Sequence, residues 1–381
     1  MGSRGRLAKY LDPEHYATKW LHKRGVAIVR VCSEEDAAVL REALWDDLEA
    51  LGTGIDRNNP KTWSNKNWAQ TTHGLLQNQN FGLRLAVCMA RLKCVKAFKE
   101  LFLNALLNSS FDAVGVARPE CQERAYKNEV NLNKRYDEAE LVSSWLHIDQ
   151  ANGKRDCLLH IQGAFALTEL GEAEQRTQFV IPKEGEKVQQ FRDRFLDAFP
   201  VPEDEPKKKG FDPEREEWIS FKLDNNIQKT DPIVVAKRKW LIENGKVYTP
   251  TLKAGEMVLW DSGVPHASIP GPRAMGQERG MRMSVFVSML PADLVSDDER
   301  KKRDEMLDKL FTSGHRVTTY GKSGKVLACK FNETGRAYGK ELPTFSKGRV
   351  VRASKRALED TAAPEDSVAQ KIHKLCAGAG L

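Results

Sequence analysis

The segment SWLHIDQ, Ser144–Gln150, places His147 and Asp149 two residues apart in a short run that reads as a β-strand. Side chains of an extended strand alternate between its two faces, so residues i and i+2 leave on the same side. An imidazole and a carboxylate therefore stand next to one another, able to converge on a single cation. The alternation predicts a strand over Ser143–Ile148 with the pair at its end, and a further ligand has to arrive from a distant part of the chain.

From Asn128 onward, short apolar and β-branched runs are broken by Gly, Pro and Asn, the pattern of an antiparallel sandwich or barrel. Further strands are expected over Asp156–Leu167, Gln178–Ile181, Glu256–Asp261 and Met281–Met289. Between the third and fourth, the stretch 183–248 contains EDEPKKKG and alternating charges; it reads as a solvated insertion over the mouth of the site. Upstream, Val26–Val31 reads as a strand leading into a helix. Ser33 is a fitting N-cap, Asp36 follows three residues later, and Leu40, Leu44, Leu48 and Leu51 share one helical face. A second helix is expected over Phe81–Leu106, with Leu85, Met89, Leu92, Val95, Phe102 and Ala105 forming a core stripe. After Pro291, SDDERKKRDEMLDKLF reads as a charged surface helix within an extension over 292–340. The tail 341–381, with Lys347, Arg349, Arg352, Lys355 and Arg356 crowded together, is expected to be poorly ordered.

Composition narrows the class. With 381 residues, 40% hydrophobic and 30% charged, the chain has material for one main folded domain with elaborations and is not globally disordered. Seven cysteines, none in a CxxC pair, argue against a disulfide framework or a thiolate zinc site. No run approaches the roughly 18 to 20 apolar residues of a membrane helix. The polar start MGSRGRLAKYLDPEHY has no apolar leader, so an intracellular, cytoplasmic protein without a membrane partner is expected. A formal charge of +7 permits a nucleic-acid partner without demanding one. No motif sets an oligomeric state.

The missing ligand is found 119 residues beyond His147, in KAGEMVLWDSGVPHASIPG, Lys253–Gly271: a strand, a tight turn and His266 at its far end. Two imidazoles and one carboxylate leave three cis positions open, the facial pattern of non-haem Fe(II) oxygenases. In GMRMSVFVSM, Gly280–Met289, Arg282 and Ser284 share a strand face. 2-Oxoglutarate, which chelates iron through C1 and C2, leaves a C5 carboxylate that a guanidinium meets bidentately and a hydroxyl supplements. Ser268, two residues after His266, offers a second hydroxyl. Arg273 and Arg279 remain alternatives to Arg282, which alone lies in an alternating apolar strand beside a serine. Gln162 shares a face with His160 and Ala164. It either points into the pocket toward metal-bound ligands or is a structural glutamine of the interior, and His160 reads as core. Trp145 and Trp260, flanking the metal strands, read as packing or as walls of a substrate cavity. His73, in TTHGLLQNQN, reads as a loop residue, with a place near the mouth as the alternative.

Taken together, LLNSSFDAVGVARP, WLHIDQ, LHIQGAFALTEL, GEMVLWDSGVPHAS and GMRMSVFVSMLP resemble, in order, the phytanoyl-CoA dioxygenase-like branch of the Fe(II)/2-oxoglutarate oxygenases, over roughly residues 16–291. The resemblance implies a mainly β fold, a double-stranded β-helix (jelly roll, cupin-like) over about 128–291 flanked by N-terminal helices. It implies iron at His147, Asp149 and His266, the 2-oxoglutarate carboxylate at Arg282, and consumption of O₂ with release of succinate and CO₂. Related halogenases carry a small residue at the carboxylate position, so Asp149 points to hydroxylation or another oxidation, of a small-molecule substrate. Where the family has a small-residue and histidine ending, this chain has VIPKEGEK. Two other classes stay open: a catalytically silent jelly-roll binding module, and an oxygenase acting on nucleic acid. The latter is not favoured, since the basic tail has no interleaved aromatics to stack bases.

Overall fold

The computed structural model describes residues 7, 10–64, 67–68, 75–76, 81–118, 136–137, 142–143, 145–151, 160–172, 176–199, 217–222, 230–269, 281–295, 297, 300–301 and 317. The chain enters through α1 (Tyr16–Arg24), β1 (Val26–Arg30) and α2 (Glu34–Glu49). Ser33 caps α2, its Oγ accepting the amide of Asp36 at 3.1 Å. α3 (Leu85–Leu101) is shorter than the expected 81–106. A 3₁₀ turn, Phe81–Leu83, precedes it, and Leu103 and Asn104 turn left-handed after it, with φ of 52° and 60°.

Two antiparallel sheets form the body. The first runs in the order β1, β12 (Glu256–Asp261), β8 (Ile161–Ala166), β14 (Arg282–Pro291), β4 (Val114–Ala117), β2 (Leu75–Leu76), with β3 (Leu107–Ser109) also on β14. The second runs β10 (Glu217–Ser220), β7 (His147–Ala151), β13 (His266–Ile269), β9 (Arg176–Pro182), β11 (Gly245–Tyr248). A separate ribbon pairs β5 (Tyr136–Asp137) with β6 (Val142–Ser143). The chain alternates between the sheets over β7, β8 and β9, and again over β11 to β14.

Period-two alternation sorts the side chains into layers. Ala164, Val258, Trp260 and Phe286 of the first sheet meet Phe179 and Ile181 of the second between the sheets. Their neighbours Phe165, Met257, Leu259 and Val285 point outward onto Leu40, Leu44, Val87 and Phe98 of α2 and α3. On the far face of the second sheet, Ile148, Val180 and Ala267 pack against Phe191, Phe195 and Leu241. Full burial of residues such as Phe165 and Leu259 is worth about 1.5–3 kcal/mol each.

Two expectations change. His147 begins its strand and does not end it, because Ser143 belongs to β6 and the chain turns at Trp145 before pairing. The two-residue spacing, and hence the shared face, survives the shift. The stretch 183–248 contributes α4 (Val188–Ala198), β10, α5 (Pro232–Asn244) and the sheet strand β11. Its charges lie among an apolar set, Phe191, Phe195 and Leu241, that covers the second sheet. EDEPKKKG, the basic tail and nearly all of the expected surface helix from Ser296 fall outside the described residues. Among the described residues, no helix is long and apolar enough to cross a membrane.

Candidate metal centre

Strands β7 and β13 lie side by side with His266 paired to His147, while β9 flanks β13 with Phe179 paired to His266. This register brings together two segments that are distant in the chain. His147, Asp149 and His266 offer ligand atoms that all lie within 4.8 Å of one another, and theirs is the metal-competent group found among the described residues. Asp149 sits between the rings: Oδ1 is 3.5 Å from His147 Nε2, and Oδ2 is 3.5 Å from His266 Nε2. The two imidazole centroids are 4.4 Å apart.

The far side of each ring decides what the near side can do. His147 Nδ1 lies 2.9 Å from the Trp145 carbonyl, and His266 Nδ1 lies 2.9 Å from the Val264 carbonyl. A carbonyl only accepts, so each Nδ1 is the donor there, which in the neutral form of the ring leaves the lone pair at Nε2. Two nitrogen lone pairs and a carboxylate thus face one small space. A divalent cation of the Fe(II) kind fits such a nitrogen and oxygen set, which contains no thiolate.

Local turns deliver His266. Asp261 ends β12; its carbonyl accepts the Val264 amide at 2.8 Å and its Oδ1 the Gly263 amide at 2.8 Å, folding the chain back at once into β13. Burial pushes the Asp261 carboxyl up, opposed by the Arg192 guanidinium. Gly25, at φ 76° between α1 and β1, lets the Val264 side chain approach so closely that a Cβ there would collide with it.

Gln162, on the opposite sheet, donates from Nε2 to Asp149 Oδ2 at 3.0 Å. It therefore meets the Asp149 carboxylate of the candidate centre, where the sequence left open a contact with metal-bound ligands or a structural place in the interior. The ring of Trp145 lies edge-on to His147 at 6.1 Å, with Lys222 Nζ 5.6 Å from its centroid. His160 is buried outside the ligand group. His73, Arg273 and Arg279 lie outside the described residues.

Arg282 opens β14 and is only 3% exposed. Its Nη1 lies 3.2 Å from Ser268 Oγ, its Nη2 3.4 Å from Thr177 Oγ1 and its Nε 3.5 Å from Ser284 Oγ. Among the described residues no carboxylate pairs with it. Burial pushes this guanidinium down to about 10. Ser268 and Thr177 are cross-strand partners two residues along from His266 and Phe179. The cation thus meets the second sheet roughly 7 Å along the strands from His266, at about 3.4 Å per residue. Arg282, Ser268 and Ser284 come together as the sequence suggested. Thr177 went unnoticed, although the row Thr177, Phe179, Ile181 alternates inward and Thr177 is its polar member.

No protein-family profile matches the chain, and no curated protein matches it by sequence. Solved structures similar to it include the non-haem α-ketoglutarate-dependent carbocyclase SnoK from nogalamycin biosynthesis, at 14% identity, 78% of this chain, 92% of that one and a TM-score of 0.39. AviO1 from Streptomyces viridochromogenes Tue57 matches at 12% identity over 72% of this chain and 94% of that one, with a TM-score of 0.37. EctD from S. alaskensis with bound Fe matches at 12% identity over 70% and 73%, also with a TM-score of 0.37. All three scores lie below 0.5.

Proposed function

We propose that this chain is an Fe(II)- and 2-oxoglutarate-dependent oxygenase that hydroxylates a small molecule, releasing succinate and CO₂. One observation carries the reading. Three electron-pair donors converge at His147, Asp149 and His266, and a buried guanidinium that pairs with no carboxylate among the described residues stands across the same interior. A cation site and an anion site at this separation suit a metal-chelating dicarboxylate.

In this reading His147, Asp149 and His266 hold the iron. Arg282 receives the C5 carboxylate of 2-oxoglutarate, while Ser268, Ser284 and Thr177 add hydroxyls to its remaining lone pairs. Bound iron, 2-oxoglutarate and O₂ supply the oxidising chemistry. The chain's own work is positioning. The Trp145 and Val264 carbonyls hold both imidazoles in one tautomer, Gln162 orients Asp149, and Phe179, Trp260 and Phe286 keep water from the space between the sheets. The alternation of strands between two sheets supports a jelly roll. The motifs between residues 16 and 291 support placement beside the phytanoyl-CoA dioxygenase-like branch.

The test is succinate formation from 2-oxoglutarate with Fe(II), ascorbate and O₂, with and without candidate small molecules. Wild type should show slow turnover without substrate, and His147→Ala should show none. Equal yields from the two, together with no Fe(II) binding by wild type, would leave a silent binding module in its place.

A further inference from the structure

Trp260 lies in β12, paired across the strands with Gln162, whose amide reaches Asp149. Cross-strand partners project to the same face, so the indole enters the interior beside the metal ligands. Its ring centroid is 5.3 Å from that of His266 and 5.7 Å from that of Phe179. The residue is 1% exposed, yet its Nε1 has no hydrogen-bond partner among the described residues. Trp63 provides the contrast, donating its Nε1–H to the Asp56 carbonyl at 2.8 Å. A buried donor left unmatched is destabilising, because it gives up its hydrogen bond to water and receives none in return.

An indole nitrogen is only ever a donor, so what completes it is an acceptor. Among the described residues none of the acceptors at the centre reaches the indole N–H, the Gln162 Oε1 across the strand pair included. Asp149 Oδ2 takes the Gln162 amide, and both imidazole Nε2 atoms face the carboxylate. The distal anion site, at Arg282, is built separately from hydroxyls and a guanidinium.

We infer that the indole N–H of Trp260 donates to an oxygen of the metal-proximal carboxylate of the 2-oxo acid held at His147, Asp149 and His266. This rests on the oxygenase reading. Trp260 is then a positioning and affinity determinant for the end of the cosubstrate that Arg282 does not touch.

Calorimetric titration under O₂-free conditions tests it, using Mn(II) first and then 2-oxoglutarate on the Mn(II)-loaded protein. Trp260→Phe should bind Mn(II) within about twofold of wild type but lose roughly 10- to 100-fold in 2-oxoglutarate affinity, as expected for a hydrogen bond to a charged group. Equal 2-oxoglutarate affinity in both proteins overturns this inference alone. Failure of Mn(II)-loaded wild type to bind 2-oxoglutarate overturns the oxygenase reading, and this inference with it. Should Trp260→Phe not fold, the ¹⁵N-indole spectrum of Zn(II)-loaded wild type decides. One of the eight indole resonances should move downfield and gain protection from exchange on adding 2-oxoglutarate; eight unmoved resonances overturn the inference.

Discussion

Replacing Arg282 with methionine should leave the ligand-free protein at least as stable as wild type while removing its affinity for 2-oxoglutarate. The structure sets the magnitude. Burial pushes the guanidinium down to about 10, well below its ordinary range, which at about 1.4 kcal/mol per pH unit is a cost on the order of 3 kcal/mol. Against it stand three hydroxyl contacts at 3.2, 3.4 and 3.5 Å, long enough that each contributes no more than about 1 kcal/mol. Methionine keeps the apolar stem and removes the buried charge, so the net change should lie between zero and about 2 kcal/mol in favour of the variant. Breaking a buried ion pair would instead cost about 3–5 kcal/mol. Urea melts of Zn(II)-loaded protein, with and without 2-oxoglutarate, read both effects. Wild type should gain about 2.7 kcal/mol when the ligand is at 100 times its Kd, and Arg282→Met should gain nothing. Destabilisation of Arg282→Met by about 3 kcal/mol or more would show that a structural anion already occupies the guanidinium. A preserved ligand-induced gain would move the carboxylate site to Arg273 or Arg279.

Gln162→Leu removes the donor that orients Asp149 and should weaken Mn(II) binding by about 10- to 100-fold; unchanged calorimetric affinity would reduce Gln162 to a space filler. Asp47 offers a pH test away from the centre. Burial pushes its carboxyl up to about 6, against the pull of Arg84 and the Ala86 amide. Because the folded protein favours the neutral acid, its contribution to stability is full below the ordinary value of 3.8 and is lost as pH rises through about 6. Asp47→Asn, neutral throughout, should therefore melt above wild type at pH 7.5 and converge on it near pH 4; a difference that stays constant with pH would refute the assignment.

Whatever depends on short-range geometry was legible in the residues alone. Alternation put His147 and Asp149 on one face, the strand Glu256–Asp261 was bounded to the residue, and Ser33 capped its helix, because each is set by neighbours within a few residues. The alternating Arg282 and Ser284 marked a cation facing inward for the same reason. Which groups face one another across strands and sheets emerged with the fold: the register of His266 on His147, the Thr177 hydroxyl beneath Arg282, Gln162 on Asp149 and the indole of Trp260 beside His266. The partners in that list stand up to 119 residues apart, and their juxtaposition follows from how the two sheets register and pack, for which no local pattern exists. The stretch 183–248 shows the same limit from the other side. Its abundant charges suggest a solvated stretch, whereas Phe191, Phe195 and Leu241 reveal their partners only once the second sheet is there to cover.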